Sequence, residues 1–270
     1  MQINSELPLC MLNVGTALND YDFVLLHLMD DEKYLNWVLR QRREWPKRLM
    51  IMDNSAYEYF VKGEEFNPKW YAEMIGIVKP DYYILPDKLM DKDITLERSI
   101  EYLKKYSTRG LERPLAVAQG NSEEDLVECI LKYKEMGIEY LGIPFHLKFY
   151  TELEYDFDII KVFKSKYPEI SEDILYAMGR VQFVRNHMDI INEFPKVHFL
   201  GSHCPLEKVF YKWDNATMDT GYPVKLAMEG IKLFKETKKP EIIIDDFLYN
   251  KLTDEQQGLI INNVMKFKLL

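Results

Sequence analysis

The chain has 270 residues, 47% hydrophobic and 29% charged, a globular balance that excludes a disordered or fibrous polypeptide and supplies apolar surface for a core. No apolar run approaches the roughly 20 residues of a membrane span, and Met1–Glu6 lacks the basic patch and apolar stretch of a signal peptide, so the expected compartment is the cytosol. A formal charge of −9 argues against broad electrostatic capture of nucleic acid, while leaving room for a local basic patch.

No Pro/Gly/Ser-rich linker or low-complexity tract divides the sequence, so residues 1–270 are read as a single domain. Short, nearly continuous apolar runs, as expected of parallel strands buried on both faces, alternate with longer amphipathic stretches. In chain order, strands are predicted at Cys10–Gly15, Phe23–Leu28 and Arg48–Asp53. The basic runs Arg40-Gln41-Arg42-Arg43 and Lys47-Arg48 precede the third of these and read as a solvated helix face at the opposite end from any strand-exit chemistry. Asn67-Pro68 then sets an N-cap and an N1 proline before a helix over Lys69–Val78. A strand at Asp81–Pro86 and a helix over Asp93–Tyr106 follow, then a strand at Pro114–Gln119. Ser122-Glu123-Glu124-Asp125 opens a helix with a capping serine and acids at the positive end of its dipole, and Gly137 closes it. The remaining strands are predicted at Tyr140–Phe145, Val197–Gly201 and Ala216–Asp219, with helices over Glu172–Glu193 and Pro223–Glu236. Eight strands in this length leave about 30 residues per βα unit, which predicts an α/β (β/α)8 TIM barrel; a doubly wound open sheet is the alternative.

Cys10, Cys129 and Cys204 are scattered and form no CxxC pair, and His27, His146, His187, His198 and His203 form no HxH or HExxH spacing, so neither a metal site nor a disulfide framework is expected. No glycine-rich phosphate loop is present, and no cofactor is expected. Cys204 beside His203 could be a nucleophile–base pair, but adjacent residues rarely face one another. His198 reads as a packing residue.

Reactive residues of a parallel α/β sheet collect where strands run out into βα loops. Those positions carry Asp53-Asn54-Ser55, Pro86-Asp87, Gln119-Gly120-Asn121, Gly142-Ile143-Pro144-Phe145-His146, Gly201-Ser202-His203 and Asp219-Thr220-Gly221. One aspartate at such a point can simply cap the next helix. Three carboxylates and a glutamine on successive strand ends instead point to glycosidic-bond chemistry, with one Asp attacking the anomeric carbon and another moving protons.

Taken in order, these segments resemble the tRNA-guanine transglycosylase superfamily. Asp53-Asn54-Ser55-Ala56-Tyr57-Glu58 is similar to that family's Asp-Ser-Gly-Gly-Phe/Tyr-Gln. Leu85-Pro86-Asp87 and Ala116-Val117-Ala118-Gln119-Gly120-Asn121 are similar to its base-recognition segments, and Glu97-Arg98-Ser99 matches a family Glu-Arg-Ser. Gly137–Gly142, Val197–Gly201 and Met218-Asp219-Thr220 match later strands, and the likeness runs from about Leu49 to Glu229. Ala56 replaces a glycine, Pro144 interrupts a glycine pair, and the family's C-terminal Cys-rich zinc module is missing. The short, zinc-free form resembles the phage and bacterial branch that places 7-deazaguanines in DNA.

The resemblance implies Asp219 as nucleophile and Asp53 as acid/base. It implies that Tyr57 stacks on the base, Asp87 and Gln119 read its edge, and Gly120, Gly142, Leu200 and Gly201 line the pocket. The implied partners are guanine and a preQ0-type 7-deazaguanine base, and a nucleic acid, DNA ahead of tRNA. A separate DNA-binding protein and a second copy of the chain are further candidate partners, and a phage-encoded chain would work in the host cytoplasm. Lys88, Lys92, Lys148, Lys208 and Lys212, after strand ends, are the candidate phosphate contacts. The competing readings are the same exchange on tRNA or a free nucleoside or nucleotide, a metal-independent glycoside hydrolase using Asp53 and Asp219, and a binding protein for deazapurines without catalysis.

Overall fold

The computed structural model describes residues 1–106, 113–145, 147–153, 172–211, 213–234 and 251–269. Eight strands form one parallel sheet: β1 (Gln2–Ser5), β2 (Asp22–Leu25), β3 (Met50–Asp53), β4 (Tyr82–Ile84), β5 (Arg113–Val117), β6 (Tyr140–Ile143), β7 (Lys196–Phe199) and β8 (Ala216–Thr220). Their order, β1-β8-β7-β6-β5-β4-β3-β2, with flanking helices, is that of the predicted (β/α)8 class. The chain is organised as two compact units, one of Tyr21–Ile143 with Glu193–Val197, the other of Met1–Asp20, Pro144–Asn192 and His198–Leu270.

The first unit holds β2 to β6, joined by parallel ladders from β2–β3 to β5–β6. Its strands are buried nearly throughout because helices cover them: α2 (Glu32–Glu44), α3 (Ala56–Lys62), α4 (Pro68–Val78), α5 (Lys92–Tyr106) and α6 (Glu123–Glu135). Three of these helices start on side-chain caps. Asp31 accepts from Tyr34 N, Asn67 from Lys69 N and Trp70 N, and Ser122 from Asp125 N. Tyr71 of α4 is fully buried, and its one hydroxyl proton is shared between the carbonyls of Ile84 at 2.8 Å and Met52 at 3.1 Å, tying helix to strand ends.

The basic run before β3 is not wholly a solvated face. Arg42 makes two bonds of 3.0 Å to Asp81, which also accepts from Met50 N, and Arg48 reaches Asp22 at 2.9 Å. Burial raises the Asp22 carboxyl above its ordinary value and Arg48 opposes that shift.

In the second unit β1 pairs with β8, with Asn4 opposite Asp219. The predicted strand at Cys10–Gly15 is corrected: Leu9–Val14 is a tight 3-10 turn running into α1 (Gly15–Leu18), and the first strand is Gln2–Ser5. Only Met11 of that turn is buried, a helical rather than a strand pattern. Gln2–Ser5 is polar in sequence, and its backbone is partnered from Asn19 and Asp20. Ser5 N donates to Asn19 Oδ1 at 2.8 Å, Asn19 Nδ2 donates to Ser5 O at 2.9 Å, and Ile3 N donates to Asp20 at 2.8 Å.

The expected helix Glu172–Glu193 is α7 (Glu172–Asn186) followed by α8 (Met188–Ile191). The expected Pro223–Glu236 helix shortens to α9 (Tyr222–Met228), and the C-terminal α10 (Asp254–Leu269) packs on it. Buried Asn263 of α10 fastens the pair through Pro223 O and Ile231 O.

Candidate functional site

In the first unit the exits of β3, β4 and β5 converge on Asp87. Asn54, just past β3, donates its amide to Leu85 O at 2.7 Å and to Asp87 Oδ1 at 2.8 Å; Gln119, past β5, donates to Asp87 Oδ2 at 2.7 Å. All three side chains are almost fully buried. Neither amide is free to turn over, because Asn54 Oδ1 accepts from Ala56 N and Gln119 Oε1 accepts from Met90 N. Burial raises the Asp87 carboxyl above its ordinary value, and the two amides oppose the shift by bonding the charged form.

The Glu97-Arg98-Ser99 stretch supports this loop from α5. Arg98 donates to Asp87 O at 3.0 Å, Ser99 lies 3.4 Å from Pro86 O, and Thr95 clasps the Lys88 backbone from both sides. Gly120 is required where α6 comes close: a Cβ there would sit 2.6 Å from Asp125 Cβ and 3.0 Å from the Leu126 backbone nitrogen.

Asp53 closes β3 and accepts from Ser55 N at 2.9 Å. Ser55 takes a left-handed conformation (φ 57°), a strained choice for a residue with a side chain, and its hydroxyl meets His27 N and Nδ1 at 3.2 and 3.0 Å. Tyr57 follows on α3 and is 46% exposed. A cleft of about 530 Å3 opens beside this cluster, lined among others by Asn54, Tyr59, Phe60, Asp87, Lys88 and Arg98. Burial, with the negative charges of Asp30, Glu64, Glu58 and Asp53, pushes the Tyr59 hydroxyl up to about 12.

In the second unit Asp219, near the end of β8, is 5% exposed and, among the described residues, held through one oxygen. Its Oδ1 accepts from His198 Nε2 at 3.1 Å and from Gly201 N at 2.9 Å. Its Oδ2 accepts no hydrogen bond among the described residues. His198, expected to pack, is fully buried but also a partner of Asp219, and Thr217 Oγ1 fixes its other nitrogen at 2.6 Å.

Gly201 reaches Asp219 from a left-handed turn (φ 57°) that glycine permits. That turn is bolted down by Arg180 of α7, whose guanidinium donates to Leu200 O at 2.7 Å and Gly201 O at 2.8 Å. It also pairs with Glu207 through 2.6 and 2.9 Å bonds and lies over the rings of Phe145 and Phe199. Burial alone would lower the Arg180 pKa, but Glu207 outweighs it and the net shift is upward. Ser202 and Tyr211 hydroxyls complete the shell around Glu207.

Sequence reasoning missed Arg180 and Glu207. The available signal was a lone arginine within the apolar stretch Ala177-Met178-Gly179-Arg180-Val181, the pattern of a charge carried into a core.

The remaining candidates separate by environment. Gly142 lies buried in β6 and its carbonyl accepts from Ala118 N. Burial pushes the Cys204 thiol up to about 11, and His203 pairs with Asp173 at 3.3 Å, which leaves no support for a Cys204–His203 nucleophile. Among the proposed phosphate contacts, Lys148 is exposed and Lys88 half-buried over Phe60. Lys92 is engaged by Asp125 and Glu128, and Lys208 is turned inward, donating to Lys268 O at 2.6 Å. Lys212 and His146 lie outside the described residues.

Among the described residues no group of three or more His, Cys, Asp or Glu is placed to hold a metal ion, and no helix is long and apolar enough to cross a membrane. Comparison with models of known protein families and with curated proteins gives no match to this chain.

Proposed function

We propose that this chain is a DNA-guanine transglycosylase that exchanges guanine for a 7-deazaguanine base of the preQ0 type. The observation that carries the reading is Asp219: a buried carboxylate fixed through Oδ1 by His198 and Gly201, with Oδ2 accepting no hydrogen bond among the described residues. That is what a carboxylate nucleophile needs, because orientation is set while the attacking lone pairs stay unengaged.

In the proposed reaction Asp219 Oδ2 bonds to C1′ of the nucleotide as the C1′–N9 bond breaks, and the departing guanine takes the electron pair and a proton supplied through Asp53. The deazaguanine then loses its N9 proton to Asp53 and attacks C1′, and the ester to Asp219 opens. Asp87 and Gln119 read the base edge and Tyr57 stacks on its face. Asn54, the loop of Gly120 and Gly142 supply the backbone frame beside Asp87, and Leu200 and Gly201 that beside Asp219. A paired guanine would have to be flipped out or presented in a single strand. Lys88 and Lys148 are the described candidates for phosphate contact, and a second copy of the chain or a separate DNA-binding protein could extend that surface.

Radiolabelled guanine and preQ0 offered with DNA, tRNA and free nucleosides test the reading. Label should enter DNA, and a protein–DNA adduct should survive denaturation. Exchange into tRNA alone moves the assignment to the tRNA enzymes, and no exchange with any acceptor overturns it.

A further inference from the structure

A second cleft, of about 900 Å3, lies in the first unit at the opposite ends of the strands that carry Asp53, Asp87 and Gln119. Of the fourteen described residues that line it, six are lysine or arginine, against 35 in the 270 residues of the chain, and among them a single aspartate faces the cations. The cations come from five places: Arg42 and Arg43 end α2, Lys47 precedes β3, Lys79 follows α4, Arg113 begins β5 and Lys196 begins β7.

Asp81, the one acid, is already held by both nitrogens of Arg42 and by Met50 N. Lys196 is anchored to Tyr82 Oη at 2.8 Å and lies over the Tyr82 ring. Among the described residues Arg43 pairs with its neighbour Glu44 alone, at 3.6 Å with both side chains in solvent. Lys47, Lys79 and Arg113 are exposed and have no ion-pair partner among the described residues.

Helix-end electrostatics explains part of this set. Basic residues in the last turn of α2 and after α4 complement the negative ends of those dipoles. It does not explain Lys47, Arg113 or Lys196, which sit on loops and strand starts. Lys79, which closes α4 in a left-handed conformation (φ 53°), is explained by that dipole in its charge but not in its residue type, since glycine or asparagine adopts this conformation more easily. Like charges gathered in one concave surface repel one another unless a polyanion or counterions screen them. In a chain of formal charge −9 such a segregated patch is a local exception to the overall field.

We propose that this cleft binds the phosphodiester backbone of a nucleic acid strand, at a site separate from the residues assigned to base exchange. Its volume exceeds what one phosphate fills, and its cations are spread over several elements, which suits successive phosphates. The proposal does not depend on the chemistry at Asp219. A nucleic-acid-binding protein of any activity would use it.

The test is fluorescence anisotropy of the full chain with a labelled single-stranded oligonucleotide and a duplex across a salt series. Lys47→Gln/Lys79→Gln/Arg113→Gln is compared with Lys69→Gln/Lys132→Gln/Lys266→Gln, which removes equal charge elsewhere. All six side chains are on the surface, and circular dichroism verifies folding. The cleft variant should bind about 10- to 100-fold more weakly at low salt, and its log–log salt slope should fall by about 2, since each phosphate contact contributes roughly 0.7–0.9. The control should stay within about twofold of the parent.

Equal losses in the two variants, or no binding by the parent at low salt, overturn the proposal. Competition with pyrophosphate and a nucleoside triphosphate identifies the source. If these bind in a manner the cleft substitutions abolish while oligonucleotide binding is insensitive to them, the occupant is a free polyphosphate and the nucleic-acid assignment fails.

Discussion

If Asp219 is the nucleophile, replacing Arg180 should slow its chemistry about 10²-fold without touching Asp87 and Gln119, the residues proposed to read the base. Its Nη1 donates to Leu200 O, and the N–H on the other end of that same peptide unit is the Gly201 N–H that donates to Asp219 Oδ1. A cation on the carbonyl polarises the amide and strengthens the donor beyond it, while the second bond, to Gly201 O, fixes the turn. Arg180→Met alone leaves Glu207 charged, buried and unpaired, which costs about 3–5 kcal/mol and lowers the melting temperature by about 10 °C or more. The informative variant is therefore Arg180→Met with Glu207→Met, since replacing both partners of a buried pair is often near neutral. In that variant Gly201 loses its clamp, an effect comparable to losing one preorganised donor and worth about 10²-fold in kcat. Single-turnover adduct formation should fall by that factor, while calorimetric affinity for a preQ0-type base stays within about twofold. A folded double variant that forms the adduct within threefold of the parent rate would refute the positioning argument.

Asp219→Asn should keep the fold, because Oδ1 can still accept from His198 and Gly201, yet abolish both exchange and adduct; appreciable turnover sinks the nucleophile assignment. Asp87→Asn forces an amide NH2 against a donor already aimed at it by Asn54 or Gln119, so it should destabilise by about 1–3 kcal/mol and weaken base binding in calorimetry. The parent's Asp87 carboxyl is raised by burial. Its contribution to stability is thus full below the ordinary carboxylate value and lost as pH rises through the raised one. The melting-temperature gap between parent and Asp87→Asn should narrow from acid to neutral pH, and a gap that widens contradicts the shift. Gly120→Ala should lower the melting temperature through the 2.6 Å approach to Asp125 Cβ, by about 1–3 kcal/mol; an unchanged transition means that α6 moves aside. Lys208→Met should leave the salt slope of DNA binding unchanged, because that ammonium is bonded to Lys268 O.

Most of the barrel was legible because buried parallel strands write themselves as short apolar runs, and Met50–Asp53, Tyr82–Ile84 and Tyr140–Ile143 lie inside the predicted segments. What misled was hydrophobicity without period. Cys10–Gly15 looks apolar, yet its burial follows a tight turn, while Gln2–Ser5 looks polar because Asn19 and Asp20, far along the chain, satisfy its backbone. Element ends were less legible for the same reason. The break after Asn186 carries no glycine or proline, whereas the stop at Met228 is marked by Gly230, whose left-handed turn (φ 77°) closes α9 through Gly230 N to Ala227 O and Ile231 N to Leu226 O. The strand-exit acids were visible as residue types, but Arg180 was not visible as part of the site, because its link to Asp219 passes through a backbone carbonyl and no pattern of side chains encodes that.

The three strand-end aspartates also divide their work by how many of their lone pairs the protein has already taken. Both oxygens of Asp87 receive amides whose own orientation is locked, so it cannot swing to attack, and what remains is a rigid acceptor suited to reading a base edge. Asp53 takes a backbone N–H from its own loop, through a turn strained at Ser55, which sets the carboxylate's direction next to a cleft. Asp219 is fixed through one oxygen by an imidazole and a clamped peptide, with its other oxygen unengaged among the described residues. A helix-capping aspartate would turn an oxygen to an N–H in the first turn of its helix, as Asp31 does to Tyr34 N. Asp219 instead bonds across to β7 and the turn beyond it, and the N–H of Tyr222 at the start of α9 goes to Thr220 Oγ1. The threonine thus meets the first N–H from the turn ahead of the Gly221 cap, and Asp219 takes no part in starting the helix, as the proposed nucleophile role requires.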